Sequence, residues 1–247
     1  MANSTGNWMI LGNDELAQHL TEAAAYIDAP VALSVSTDPD AVPSSAIATG
    51  AALLVDGARS VVSPLYGFRV LEEAARAVQA GEVGNTYGFF GSYRLERGTS
   101  PDELRGQALV PLLAYALEIF HSTVERVMVR QASLLATDDA WFVTLRLADE
   151  TLLTLEVLAA RPSGSGSQVL VEITGSEQVL RVEPTRQSVV VEPVDGPAKA
   201  LPWWEDEAER LLQHIAARPT EIRSAERLRE VWTAVEQSLG SGTAVEA

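Results

Sequence analysis

Hydrophobic patterning changes character near Gly84, and this change constrains the fold more than any other feature of the chain. Up to about residue 65, short apolar runs alternate with stretches of helical spacing. Residues 8–11 form an apolar run ending in Gly12. Asn13 or Asp14 can then cap a helix to Ile27, with Leu16, Leu20, Ala23, Ala24 and Ile27 on one face. Residues 31–35 read as a strand, closed by the turn-rich Thr37-Asp38-Pro39-Asp40. The alanine-rich residues 44–56 are predicted helical, and 60–63 a further short strand. This β-α-β-α-β order is that of a parallel sheet flanked by helices.

Residues 68–80 predict an amphipathic helix with Val70, Leu71, Ala74, Ala75 and Val78 as its apolar stripe, stopped by Gly81. Beyond Gly84, strand-like runs follow at short intervals: 87–95, 124–135, 141–147, 152–159, 169–174, 179–182 and 188–191. A long helix over 101–121 interrupts them, with Pro111 inside it or near its first turn. The short turns between the later strands predict a mostly antiparallel sheet. Residues 162–167 (PSGSGS) read as a flexible hairpin tip or linker. Two helices over 203–217 and 224–239 close the chain, and 240–247 reads as a frayed tail. The class is therefore α/β followed by α+β.

Chemistry is restricted by scarcity. Among 247 residues there is one lysine, Lys199, against 17 arginines; the histidines are His19, His121 and His214, and cysteine is absent. These types supply most general bases, nucleophiles and soft metal ligands. The three histidines lack metal-ligand spacing, so no metal site is predicted. A net charge of −16 argues against nucleic acid and against anionic membranes, both of which need a basic surface. No stretch approaches the roughly 20 apolar residues of a membrane-spanning helix. The N-terminal Met-Ala-Asn-Ser-Thr lacks the positive segment of a secretory leader, and a cytoplasmic protein is expected.

Four segments, in order, resemble the Gfo/Idh/MocA oxidoreductases (relatives of glucose–fructose oxidoreductase and inositol dehydrogenase). Residues 72–94 (EEAARAVQAGEVGNTYGFFGSYR) are similar to the family's helix, its Gly-x-Ile/Val-Gly turn and its strand into the second domain. Residues 106–121 stand where the family has its catalytic helix. Residues 171–180 (VEITGSEQVL) resemble its Glu-Ile-x-Gly hairpin, and 203–239 its final helix pair. The resemblance covers residues 68–242. It implies a Rossmann-like N-terminal domain, here shortened to 1–67, and a helix-backed open-sheet domain over 68–242, with 243–247 as a tail. It also implies an NAD(P) cofactor, sugar or polyol substrates, and a homodimer or higher oligomer formed through the open sheet.

The same resemblance exposes departures. Gly12 and Ala17 occupy the outer positions of a G-x-G-x-x-G/A turn, but Asp14 replaces the central glycine and would repel a pyrophosphate. Asp38 resembles the acid that holds a ribose hydroxyl. The family's Glu-Lys-Pro lysine has no counterpart, because no lysine precedes Lys199. Matching Gln107-Ala108-Leu109 onto the catalytic helix puts Pro111 at its aspartate, Tyr115 at its histidine and Glu118 at a further acidic position. His121 is a possible displaced base, although the helix dipole favours an imidazolium there as a C-terminal cap. Tyr66, Tyr93 and Arg94, with Tyr115, are the candidates for a retained substrate pocket. Glu205, Asp206, Glu207 and Glu209 read as the first turn of a helix, preceded by Trp203 and Trp204.

Two function classes follow. In the first, favoured by Asp14, the missing lysine and Pro111/Tyr115, dehydrogenase activity is lost. The chain then serves as a ligand-binding or oligomeric partner protein, with no cofactor expected. In the second, it is an active NAD(P)-dependent oxidoreductase on sugars or polyols with non-standard catalytic residues.

Overall fold

The computed structural model describes residues 6–11, 31–36, 53–56, 60–62, 65, 68–135, 138–184, 188–202 and 224–247. β1 (Gly6–Leu11) pairs in parallel with β2 (Val31–Ser36), Gly6 opposite Val31 and Leu11 opposite Ser36. β3 (Leu53–Asp56) flanks β1 on its other side and runs antiparallel to it. β4 (Ser60–Val62) is antiparallel to β3, so the order is β2-β1-β3-β4. The α/β class holds, but two details of the sequence reading are corrected. Residues 53–56 are a strand rather than the end of a helix. Only β1 and β2 are parallel, because the three residues between β3 and β4 are too few for a parallel crossover. Asp56-Gly57, a strong hairpin dipeptide, carried that information in the sequence. The predicted helices over 14–27 and 203–217 lie outside the described residues.

α1 (Arg69–Gln79) matches its predicted stripe: Val70, Leu71, Ala74 and Ala75 are buried. Gly81, at φ +76°, ends it, its N–H reaching the Val78 carbonyl. Next come β5 (Thr86–Glu96) and α2 (Pro101–Leu104), a π-helical turn over Arg105–Leu109, and α3 (Val110–Ile119). The widened turn answers a problem set by Pro111, which cannot donate to the carbonyl four residues back and whose ring would press on it. The Val110 N–H instead reaches the Arg105 carbonyl, five residues back, and the helix continues past the proline.

The remaining strands are β6 (Val124–Leu135), β7 (Asp138–Leu147), β8 (Leu152–Arg161), β9 (Gln168–Gly175), β10 (Gln178–Glu183), β11 (Ser188–Pro193) and β12 (Lys199–Pro202). α4 (Ser224–Ser241) and β13 (Val245–Glu246) follow. Among the described residues they build a nine-stranded sheet ordered β12-β11-β10-β9-β5-β8-β7-β6-β13. Only β5 and β8 run parallel in it; every other pair is antiparallel. Period-two burial along β8 and β9 marks one covered face. Leu112, Leu113 and Tyr115 of α3 and Leu228, Val231 and Trp232 of α4 pack there with Phe89, Leu145, Leu155 and Ile173 in one continuous core.

Two of the resembling segments dock on each other. A Cβ at Gly84 (φ +77°) would lie 2.2 Å from Ser176 Oγ, and one at Gly175 would lie 2.2 Å from the Val83 carbonyl oxygen. That close approach lets the Ser176 N–H reach Asn85 O at 2.9 Å and the Glu177 N–H reach Val83 O at 3.1 Å. The glycines of the two motifs are thus two sides of one contact, which joins the end of α1 to the β9–β10 turn.

Two segments that the sequence leaves without regular structure carry specific hydrogen bonds. Residues 162–167 form a turn between β8 and β9. Glu96 Oε1 accepts the Gly166 N–H at 3.1 Å, and Arg161 donates to Ser165 Oγ at 3.1 Å and to Ser165 O at 3.0 Å. The expected tail instead adds β13 to the edge of β6, Val245 opposite Val127, and so pairs an otherwise open edge. Ser238, fully buried, supports this end by accepting the Val129 N–H and donating to the Thr243 carbonyl. No helix of the described residues is long and apolar enough to cross a membrane.

Candidate functional site

Tyr93 and Arg94 are neighbours on β5 and therefore face opposite sides of the sheet. Tyr93 stands in register with Val157 and Val169, both buried beneath the helices, and packs half-buried against the core. Arg94 stands opposite Leu158 on the open face. Its Nη2 lies 3.5 Å from Glu156 Oε1, which also accepts the Ser92 hydroxyl at 2.8 Å. The two candidates do not line one pocket; only Tyr93 shares the layer of α3.

Tyr115 is at the centre of that layer and fully buried. Its hydroxyl donates to the Leu71 carbonyl at 2.7 Å, tying α3 to α1, and its ring lies 6.3 Å from that of Phe89. Burial, reinforced by the Glu118 carboxylate, pushes the hydroxyl well above the usual phenol range. A phenol held this way keeps its proton, and that proton is already committed to a backbone oxygen. Pro111, one turn earlier, is also buried and has no proton to relay. Glu118 follows on α3, half-buried.

His121 lies just past α3 and is exposed, so it does not join Tyr115. It borders an open cleft of about 320 Å³ with Thr123, Arg227 and Glu230. The expected role of His121 as helix cap belongs to Arg227 of α4. Its Nη1 donates to the Leu117 and Phe120 carbonyls at 2.6 and 2.7 Å, and its Nη2 donates to the Ser122 carbonyl. A guanidinium offers several donors in a fixed fork and meets three terminal carbonyls at once, which an imidazole cannot. Burial lowers the pKa of this guanidinium.

One constellation went unnoticed in the sequence. Arg105, in the π-helical turn, places its guanidinium carbon 5.6 Å from the centre of the Trp141 ring. Trp141 of β7 is 3% exposed, and its indole N–H meets no acceptor among the described residues. Trp141, Val157 and Tyr93 are aligned across β7, β8 and β5 on the helix-covered face. The readable signal was the strand period: Trp141 has the same phase as the apolar Val143 and Leu145, the phase that faces helices.

Gly12, Asp14, Asp38, Tyr66, His19, His214, Trp203, Trp204 and the acidic run 205–209 lie outside the described residues. Lys199 opens β12. Among the described residues no group of three or more His, Cys, Asp or Glu could hold a metal ion.

A sheet backed by α3 and α4, joined to a sheet with a parallel β1–β2 pair, matches known architectures. Its structural neighbours are Gfo/Idh/MocA-type oxidoreductases. The inositol dehydrogenase homolog from Azotobacter vinelandii, solved with NAD+, aligns over 96% of this chain and 70% of its own, with TM-score 0.60 and 13% identity. An oxidoreductase from Pseudomonas syringae aligns over 97% and 71%, with TM-score 0.60 and 13% identity. An oxidoreductase domain protein from Kribbella flavida aligns over 74% and 64%, with TM-score 0.57 and 16% identity. Levoglucosan dehydrogenase, solved with NADH and levoglucosan, aligns over 74% and 65%, with TM-score 0.57 and 14% identity. The chain thus spans just under two thirds of the length of these last two proteins. No protein-family model and no curated protein matches the chain. At these identities the likeness establishes the shared fold.

Proposed function

We propose that this chain is a dehydrogenase-like protein that binds a small molecule without hydride transfer and acts as an oligomeric partner or regulatory subunit. Tyr115 carries the reading. At the position resembling the catalytic histidine stands a fully buried phenol whose hydrogen bond to Leu71 O serves packing. Pro111, at the position resembling the aspartate, cannot exchange a proton. The test is to incubate the chain with NAD+ or NADP+ and a panel of sugars and polyols while following nicotinamide absorbance. No reduction above the protein-free rate is expected; sustained turnover overturns the reading.

A second reading, an NAD(P)-dependent oxidoreductase on sugars or polyols, is favoured by the neighbours solved with NADH or NAD+. The parallel β1–β2 pair supports nucleotide binding, since Gly12 directly follows β1 in sequence and Asp38 follows β2 by two residues. Micromolar NADH or NADPH binding that is lost on altering Gly12 or Asp38 counts against the first reading, and turnover supports the second.

The oligomer would form through the open face of the larger sheet. Phe90, Met128, Phe142 and Leu170 are only half-buried there, between the ion pairs of Arg94 with Glu156 and Arg181 with Glu172. A face that combines apolar surface with satisfied charges suits association of two folded copies. Light scattering at micromolar concentration is expected to report a dimer or larger; a monodisperse monomer refutes it.

A further inference from the structure

Charge is sorted by end on the open face of the larger sheet. One register row crosses it without a break, from Arg126 on β6 through Leu152 on β8 and Gly88 on β5 to Glu192 on β11. Residues aligned in this way project from the same face. It is the face away from the buried Val127, Val129, Leu180 and Val182. Arg126 is exposed and makes no ion pair among the described residues, although Glu246 of β13 stands opposite it in register. Arg130, on the same face of β6, is exposed and donates to the Gly242 carbonyl. At the far end Glu192 lies 4.0 Å from Arg181, which is already bound to Glu172 at 2.8 Å. Unpaired positive charge therefore stands at one end and weakly paired negative charge at the other, with half-buried Phe90, Phe142 and Leu170 between them.

We propose that this face pairs with a second copy of the chain about a two-fold axis running along β5, so that Arg126 of each copy lies against Glu192 of the other. Two identical faces can meet in two simple ways. An axis across the strands lays β6 on β6 and sets arginines against arginines. An axis along the strands lays β6 on β11 and sets cation against carboxylate at both ends. β5 is the middle one of the nine strands described, so an axis over it overlays the two sheets fully and brings Phe90 against its own copy. Exposed ion pairs of this kind add little affinity. They fix register and exclude the like-charged arrangement, while the apolar side chains between them supply the buried area. This arrangement presupposes the oligomer proposed above and specifies its geometry.

The chain has no cysteine, so a thiol introduced at one position is unique. Full-length chains carrying Arg126→Cys and Glu192→Cys are treated, separately and mixed, with a short bismaleimide that spans the roughly 10 Å between packed sheets. Cross-linked dimer is expected from the mixture and not from either variant alone. In a light-scattering dilution series Arg126→Glu should weaken self-association several-fold. Mixing it with Glu192→Arg should restore the parent's affinity, because opposite charges meet again. Thermal melts of all four variants, expected within a few degrees of the parent, separate loss of the contact from loss of the fold. A parent dimer that cross-links through Arg126→Cys alone, or in no combination, overturns the arrangement and leaves the oligomer standing; so does association unchanged by Arg126→Glu. A parent that stays monomeric at every concentration overturns the oligomer itself, and the arrangement with it.

Discussion

On the covered face of the larger sheet Leu145, Leu153, Leu155 and Val171 are fully buried. On the opposite face Leu152 is 46% exposed, and the side chains of Arg94 and Arg181 reach solvent in ion pairs. The same strands build both faces, so the contrast comes from what lies against them. Helices α1, α3 and α4 exclude water from one side, and a polar group admitted there is costly unless it is hydrogen-bonded. Tyr115 meets that condition through Leu71 O. The indole N–H of Trp141 meets no acceptor among the described residues. On the open side a charge such as Arg94 is solvated, and its pairing with Glu156 needs no function to account for it.

The contrast can be broken first by truncating leucines of β8 on each face. Leu155→Ala should lose about 3 kcal/mol of unfolding free energy in denaturant titration, because the helices above cannot collapse into the space. Gly175→Ala comes next, at about 2 kcal/mol, since its Cβ would meet the Val83 backbone, which has no rotamer to yield. Leu152→Ala on the open face should lose less than about 1 kcal/mol in the monomer. A loss there equal to that at Leu155 would show that the open face is covered within a single chain.

The smallest effect concerns Glu96, a half-buried residue at the end of β5. Backbone N–H groups of Gly164 and Gly166 hold its carboxyl below the usual glutamate range. A depressed folded value means that its contribution is present above the unfolded pKa of about 4.3 and is lost as pH falls through the folded one. Glu96→Gln should therefore flatten the acid limb of the stability profile while leaving its lowest-pH end unchanged. Identical profiles would show that the 162–167 turn does not depend on this carboxylate.

How much of this was legible depended on how local the cause was. The α1 stripe of Val70, Leu71, Ala74 and Ala75 is local, and so are the period-two strands from β5 to β11; all were readable within two residues except the start of β7, which lies at Asp138 rather than Trp141. Strand direction is set by partners far along the chain, so residues 53–56 read as helix and the first sheet as wholly parallel. Edge strands such as β12 and β13 are too short to show a period. At the site, the opposite facing of Tyr93 and Arg94 followed from strand alternation alone. The bond from Tyr115 to Leu71 spans 44 residues, and Arg227 reaches the end of α3 across 110 to Leu117. No spacing rule predicts either.

The central claim is that Tyr115 is a packing group where a proton-transfer residue would stand. It is tested most directly by Tyr115→Phe, comparing unfolding free energy and NADH affinity with the parent. Removing the hydroxyl takes away the second donor on the Leu71 carbonyl, which keeps its partner within the helix, so a loss of about 0.5–1.5 kcal/mol is expected, with any NADH affinity and its pH dependence unchanged. Unaltered stability together with a changed pH dependence of nucleotide binding would contradict the account and return Tyr115 to the chemistry of the site.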